Sequence, residues 1–226
     1  MSLIVYSPSW FFGFDAVFHS VSVIVALLIS MMAYRIFRLL KESSFFYFSA
    51  AFFAIGISYI FKILSDLFVY RNLGEMLAPK IDLILASMTA AEFVNIFGNL
   101  IFRFLILLGF LILLVILLKI KDRRIIFLFI YFIFIISTFS AWSFLLFQTT
   151  LTVLAGTVCI YYLFHYIEHR KRIIFFSLLG FSFVFLAQVT LMFTFFFQKQ
   201  MFVLGSIFQA IGFLILFITY LMVLQR

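Results

Sequence analysis

The sequence predicts an all-α, polytopic membrane protein with seven transmembrane helices. Three observations carry this expectation. Of the 226 residues 67% are hydrophobic, Phe alone occurs 38 times, and the mean hydropathy is +1.31, against about 45–50% apolar residues in soluble domains. The apolar runs are long and continuous, as over 104–118 and 125–136, where a membrane barrel would show short strands of alternating polarity. Only two Pro and nine Gly interrupt them.

A bilayer core is crossed by about 20 apolar residues. That length places spans over 14–37, 45–68, 96–118, 125–147, 149–167, 173–197 and 202–224, in one transmembrane domain covering 1–226. The first basic residue is Arg35, so the positive start of a cleavable signal is missing. The second connection, about 71–91, is the one substantial loop and contains Gly74 and Pro79. The 38 residues of 81–118 exceed one span. A surface helix or hairpin over 75–90 is therefore expected there, with a break before the third span.

Basic residues set the expected orientation. Arg35, Arg38 and Lys41 follow the first span, Lys119, Lys121, Arg123 and Arg124 the third, Arg170, Lys171 and Arg172 the fifth, and Arg226 the seventh. These are eleven of the 16 Lys and Arg, all on one side if the number of spans is odd. The positive-inside rule then puts the N-terminus outside and the C-terminus inside. The net charge of +8 is thus accounted for by short juxtamembrane loops, with no call for nucleic acid as a partner.

A 3+1+3 pseudo-repeat is also expected. Tyr34-Arg-Ile-Phe-Arg with Phe48-Ser49 matches Tyr162-Leu-Phe-His-Tyr with Phe176-Ser177 at an offset of 128 (176 − 48). Gly109-Phe-Leu-Ile-Leu recurs as Gly212-Phe-Leu-Ile-Leu at an offset of 103 (212 − 109). Two parallel three-helix units would be related by an axis along the membrane normal.

Polar residues gather at one depth. Glu92, Asn95, Asn99 and Arg103 are spaced to form one helical stripe. Arg103 stands 16 residues above Lys119, His19 16 above Arg35, Gln188 16 above Arg172, and Gln209 17 above Arg226. At 1.5 Å per residue each lies about 24–26 Å from the basic end of a core about 30 Å thick. Lys62, Asp15 and Asp66 lie at that depth or further out. One reading is an outward-facing polar pocket for a polar or anionic small ligand, formed by His19, Lys62, Glu92, Asn95, Asn99, Arg103, Gln188 and Gln209. The other is snorkelling of Lys62 and Arg103, with the amides and His as contacts between helices.

His165 and His169, with Glu168 between them, have a spacing that can chelate a metal on one helix face. No further His or Cys lies at that depth, so the group is read as part of the basic rim, and neither metal nor cofactor is expected. The lone Cys159 reads as a small core residue. Trp10 and Trp142 are placed as interfacial belt residues. No catalytic serine triad, HExxH zinc motif or phosphate loop is present.

Tyr34-Arg-Ile-Phe-Arg-Leu-Leu-Lys-Glu, followed by Tyr47-Phe-Ser-Ala-Ala-Phe-Phe-Ala-Ile-Gly-Ile-Ser, resembles the first hairpin of uncharacterised archaeal seven-helix membrane proteins. It is loosely similar to the seven-helix input domains of bacterial sensor kinases, although no kinase region is present. The resemblance implies a seven-helix membrane fold and no catalytic residue.

The expected function is that of a non-enzymatic, multi-pass cell-membrane protein, receptor- or sensor-like, acting through a membrane protein partner in the lipid bilayer. A small-solute transporter and a structural or assembly subunit without ligand are the alternatives. A transporter needs polar groups at mid-membrane and an inner exit, and the inner half reads as apolar.

Overall fold

A computed structural model describes residues 11, 13–75, 81–140, 144–194 and 200–224, with side chains described over 11, 13–67, 96–140, 144–194 and 200–223. These residues form seven α-helices and no strand: α1 (Phe14–Leu40), α2 (Ser43–Glu75), α3 (Ile81–Leu117), α4 (Arg123–Phe139), α5 (Phe144–His169), α6 (Arg172–Phe193) and α7 (Gln200–Leu224). All but α4 contain a stretch long and apolar enough to cross a membrane. The outward faces are apolar as well; Phe127 on α4 and Phe164 on α5 are 70% and 67% exposed. The fold is thus a multi-pass helical bundle with lipid as its outer solvent.

Two expected boundaries move. The break before the third span is absent, and α3 runs unbroken through 37 residues. Nothing in 81–97 opposes a helix, because Pro79 stands before it and Gly98 after. The border between the fourth and fifth spans is expected near 148, whereas α4 ends at Phe139 and α5 already begins at Phe144. Ser140 donates its hydroxyl to the Ser137 carbonyl at 2.7 Å, and Ser137 donates across to the Leu100 carbonyl of α3 at 3.1 Å. Side chains that bond backbone carbonyls weaken a helix at its end. α4 therefore has 17 residues, about 26 Å of rise.

The helices pack α1 on α2, α2 on α3, α5 on α6 and α6 on α7. α1 also meets α7, α3 meets α5, and α4 lies mainly along α3. Two glycines allow backbones to touch. A Cβ on Gly109 would stand 2.9 Å from the Ala51 carbonyl oxygen of α2, and one on Gly212 3.0 Å from the Gly180 carbonyl oxygen of α6. Small residues at such crossings permit the close packing that replaces the hydrophobic effect in lipid. Ser30 and Ser49 clamp α1 to α2, each hydroxyl donating to the other's carbonyl at 2.9 Å.

One seam runs the length of the bundle. α1 turns Asp15, His19, Ser22, Ala26, Ile29 and Ala33 inward. α2 carries Phe48, Phe52, Ile55, Tyr59, Lys62 and Asp66 at the same alternating spacing of four and three, and α7 carries Gln209, Phe213, Leu216 and Tyr220. Near-helical repeats of this kind hold one face towards one neighbour. The seam is polar at one end and aromatic at the other. The aromatic end is also the basic end, where α1, α3 and α5 finish. Each of these finishes on a basic residue in the left-handed region, Lys41 (φ 57°), Lys119 (φ 53°) and Arg170 (φ 48°).

Candidate functional site

The polar end of the seam starts at the first turn of α1. The Asp15 carboxylate accepts from the backbone N–H groups of Gly13 at 3.1 Å and Ala16 at 2.8 Å, which anchors the helix start. One turn on, His19 points into the bundle and is 6% exposed. Its ring stacks on Tyr59 of α2 at 5.5 Å and 20°. Both ring nitrogens are buried, and neither meets a partner among the described residues. A buried polar group without a hydrogen bond costs about 1–3 kcal/mol, so this position calls for an explanation.

Asp15 lies one turn before His19 on α1, and Lys62 and Asp66 lie one and two turns after Tyr59 on α2. Lys62 Nζ donates to Asp66 Oδ1 at 2.8 Å, with 23% and 17% of the two side chains exposed. The ammonium also lies 5.9 Å from the centre of the Phe102 ring. Asn99 Nδ2 donates to Ser65 Oγ at 2.9 Å and ties α3 to this part of α2. The result is a desolvated imidazole beside an ammonium and a carboxylate that keep partial contact with the surroundings. Such a set can donate to and accept from a small polar solute, and the ammonium can balance an anion.

The other expected site residues go elsewhere. Arg103 lies one turn from Asn99 and reaches towards α4 and α5. Its Nη1 donates to Ser140 Oγ at 3.0 Å, and its guanidinium lies 5.7 Å from the centre of the Phe147 ring of α5. Gln188 is held by Gln148, whose Nε2 donates to Gln188 Oε1 at 2.8 Å and to the Gln188 carbonyl at 3.0 Å. Gln209 is 3% exposed and donates to Ser22 Oγ of α1 at 3.4 Å. The side chains of Glu92 and Asn95, and both Trp10 and Trp142, lie outside the described residues. The expected layer thus resolves into His19–Lys62–Asp66 with Asn99 close by, an arginine contact to α4 and α5, and two amide contacts between helices.

Tyr59, Ser65, Ser22 and Gln148 were not singled out from sequence. Tyr and Ser carry little polarity in a hydropathy window, and Gln148 fell on the misplaced border between spans.

At the basic end, ligand atoms of His165, Glu168 and His169 all lie within 4.8 Å of one another. His169 Nδ1 is 3.6 Å from Glu168 Oε2, and the two imidazole rings are 4.4 Å apart. Among the described residues, these three could share a divalent ion. Arg170, Lys171 and Arg172 follow directly, and their charge opposes a cation there.

No protein family, curated protein or solved structure matches the chain. The functional reading rests on the geometry above.

Proposed function

We propose that the chain is a non-enzymatic, multi-pass protein of the cell membrane that binds a small polar or anionic ligand at the end of its bundle opposite the basic clusters. It acts as a receptor- or sensor-like subunit and passes its signal to a membrane protein partner. The observation that carries this reading is His19, buried with two nitrogens that have no partner among the described residues and stacked on Tyr59, which lies one turn before the Lys62–Asp66 pair on α2. Ionisable groups within membrane helices mark functional sites by default.

With the basic clusters inside, the site faces outward and the N-terminus lies outside. That orientation needs α4 as a seventh crossing. Arg123 and Arg124 start α4 at the basic end, and Ser140 reaches Arg103 at the other. The 3+1+3 repeat belongs to the same reading. The pair His19–Tyr59 between α1 and α2 corresponds to Gln148–Gln188 between α5 and α6 at one offset, 129 (148 − 19 and 188 − 59). Gly109 on Ala51 corresponds to Gly212 on Gly180 with the same offset between α2 and α6 (180 − 51). This is one residue from the offset of the sequence match. One repeat keeps a lock at the paired positions, and the other keeps an open histidine.

The test uses single cysteines at 19, 62, 188 and 209 in a Cys159→Ala background, with an impermeant thiol reagent added from outside. Labelling at 62 and 19, with a solute from a screen of small anions protecting 62 where His19 is intact, and with 188 and 209 silent, is the expected result. Labelling at 62 alone, unaffected by any solute, sinks the pocket and leaves a snorkelling lysine.

A second reading, a small-solute transporter, is favoured by a cavity at the basic end of the same seam. It is separated from His19 by Phe52, Tyr59 and Phe213, all at most 2% exposed. Solute uptake into vesicles distinguishes it from binding alone.

A further inference from the structure

The cavity at the basic end has a volume of about 240 Å³ and is open on one side. Its lining includes helix ends, with Ser44 in the first turn of α2, Ile116 in the last turn of α3 and Val223 at the end of α7. Inside, Phe48 stacks on Tyr220 at 5.9 Å and 13°, and meets Phe52 at 4.9 Å. Phe181 forms the opposite wall and stacks on Tyr162 at 4.9 Å. Two hydroxyls on the wall are already used within their own helices. Ser177 Oγ donates to the Ile173 carbonyl at 3.1 Å, and Thr219 Oγ1 to the Ile215 carbonyl at 2.7 Å. The Tyr220 hydroxyl is buried with no partner among the described residues, and the rest of the cavity surface is mainly carbon.

The surroundings of the mouth are of opposite character. Lys41 stands three residues before Ser44, Lys119 three after Ile116, and Arg172 five before Ser177. Over this end of the described bundle ten basic residues face three acidic ones, Glu42, Asp122 and Glu168. Asp122 is also engaged as the N-cap of α4. An enclosed apolar cavity of about 150 Å³ accommodates a benzene. The present cavity is larger and partly open, which is room for part of a hydrocarbon chain.

We propose that this cavity binds the hydrocarbon chain of an anionic amphiphile whose head group rests on the cationic rim of Lys41, Lys119 and Arg172. The head is a phosphate or a carboxylate, supplied by a membrane phospholipid or by a free fatty acid. A zwitterionic lipid offers the same chain without net charge and is held less well. The site is separate from His19 and does not depend on the outer ligand.

The experiment places one tryptophan in the wall by Phe48→Trp, in the full chain with Trp10→Phe and Trp142→Phe. The protein is reconstituted in phosphatidylcholine vesicles with a minor fraction of brominated lipid as quencher. Brominated phosphatidylglycerol is expected to quench with about fivefold higher apparent affinity than brominated phosphatidylcholine, which is roughly what one cation contributes at a membrane surface. Lys41→Gln with Lys119→Gln should remove that preference. Phe127→Trp, on the lipid face, should quench equally with both lipids. Brominated stearate added to plain vesicles identifies a fatty acid as the source if it quenches at lower concentration than the phospholipid. Tyr220→Trp replaces Phe48→Trp if the first variant is not monodisperse. Equal quenching by both phospholipids at both wall positions, or no quenching there, together with no quenching by brominated stearate, overturns the proposal.

Discussion

Gln148 and Gln188 are joined by two hydrogen bonds from one amide, 2.8 Å to the side-chain oxygen and 3.0 Å to the backbone carbonyl, across the α5–α6 interface. Both are buried, at 2% and 1% exposure. Hydrogen bonds between membrane helices average about 0.6 kcal/mol and reach about 1.7, and this pair makes two. Gln188→Leu should therefore cost about 1 kcal/mol, because it also leaves the Gln148 amide with one acceptor fewer. Adding Gln148→Leu should recover part of the loss, since removing both partners is cheaper than orphaning one. Unfolding in mixed micelles as a double-mutant cycle reads this directly. Additive losses would mean that the two amides act independently.

The same pair shows what was legible in the sequence. Long apolar runs made the helices readable, and Gln188 stood out because it interrupts one. Its partner did not. Ser137 and Ser140 lie at the end of α4 with hydrogen bonds that hydropathy does not register, so Gln148 falls between the spans expected from sequence and not in the second turn of α5. Asn99 and Arg103 were legible as neighbours on α3. Their divergence, one to Ser65 of α2 and the other to Ser140 of α4, depends on which helices flank α3. The aromatic cavity was hidden for a related reason: a Phe facing lipid and a Phe facing a cavity look alike in sequence.

Gly109 and Gly212 should tolerate no side chain. The carbonyl oxygens that a Cβ would meet at 2.9 and 3.0 Å belong to neighbouring helices and cannot rotate aside. Gly109→Ala and Gly212→Ala should each cost roughly 1–3 kcal/mol, the range for overpacked cores. Thermal unfolding of the detergent-solubilised protein provides the measurement. A neutral effect at either position would mean that the helices separate freely at that crossing.

Lys41, Lys119 and Arg170 hold a conformation that costs an L-residue about 1–2 kcal/mol. Their charge at the ends of α1, α3 and α5 returns about 0.3–1 kcal/mol through the helix dipole. The strain is the larger effect. Lys41→Gly, Lys119→Gly and Arg170→Gly should each stabilise the fold by about 0.5–1 kcal/mol while reducing the positive charge of that end. Lys41→Ala removes the charge without relieving the strain and should destabilise. If Gly and Ala variants behave alike, the strain is not what sets the stability of these ends.

Arg103→Leu should loosen α4 in particular. The arginine bonds Ser140 and lies over Phe147, whereas α4 makes few contacts with α5. A cation–π contact and a charge-assisted hydrogen bond together contribute roughly 2 kcal/mol when partly desolvated. Amide hydrogen exchange should accelerate over 123–139 more than over α1 or α2. Uniform acceleration across the bundle would place the arginine's role in the whole fold instead.

His19 separates stability from function. Phe at this position keeps a ring against Tyr59 and removes two buried nitrogens without partners among the described residues. His19→Phe should therefore stabilise the folded chain by about 1–2 kcal/mol, the cost of the polar atoms it removes. It should also abolish solute protection of a cysteine at 62, because the donor and acceptor are gone. Natural sites commonly trade stability for activity in this way. His19→Gln keeps a donor and an acceptor and should retain weaker protection. The decisive comparison is between the melting temperature and the protection of the two variants. If His19→Phe melts lower than the parent and still protects position 62, the histidine is a packing residue and the ligand site lies elsewhere.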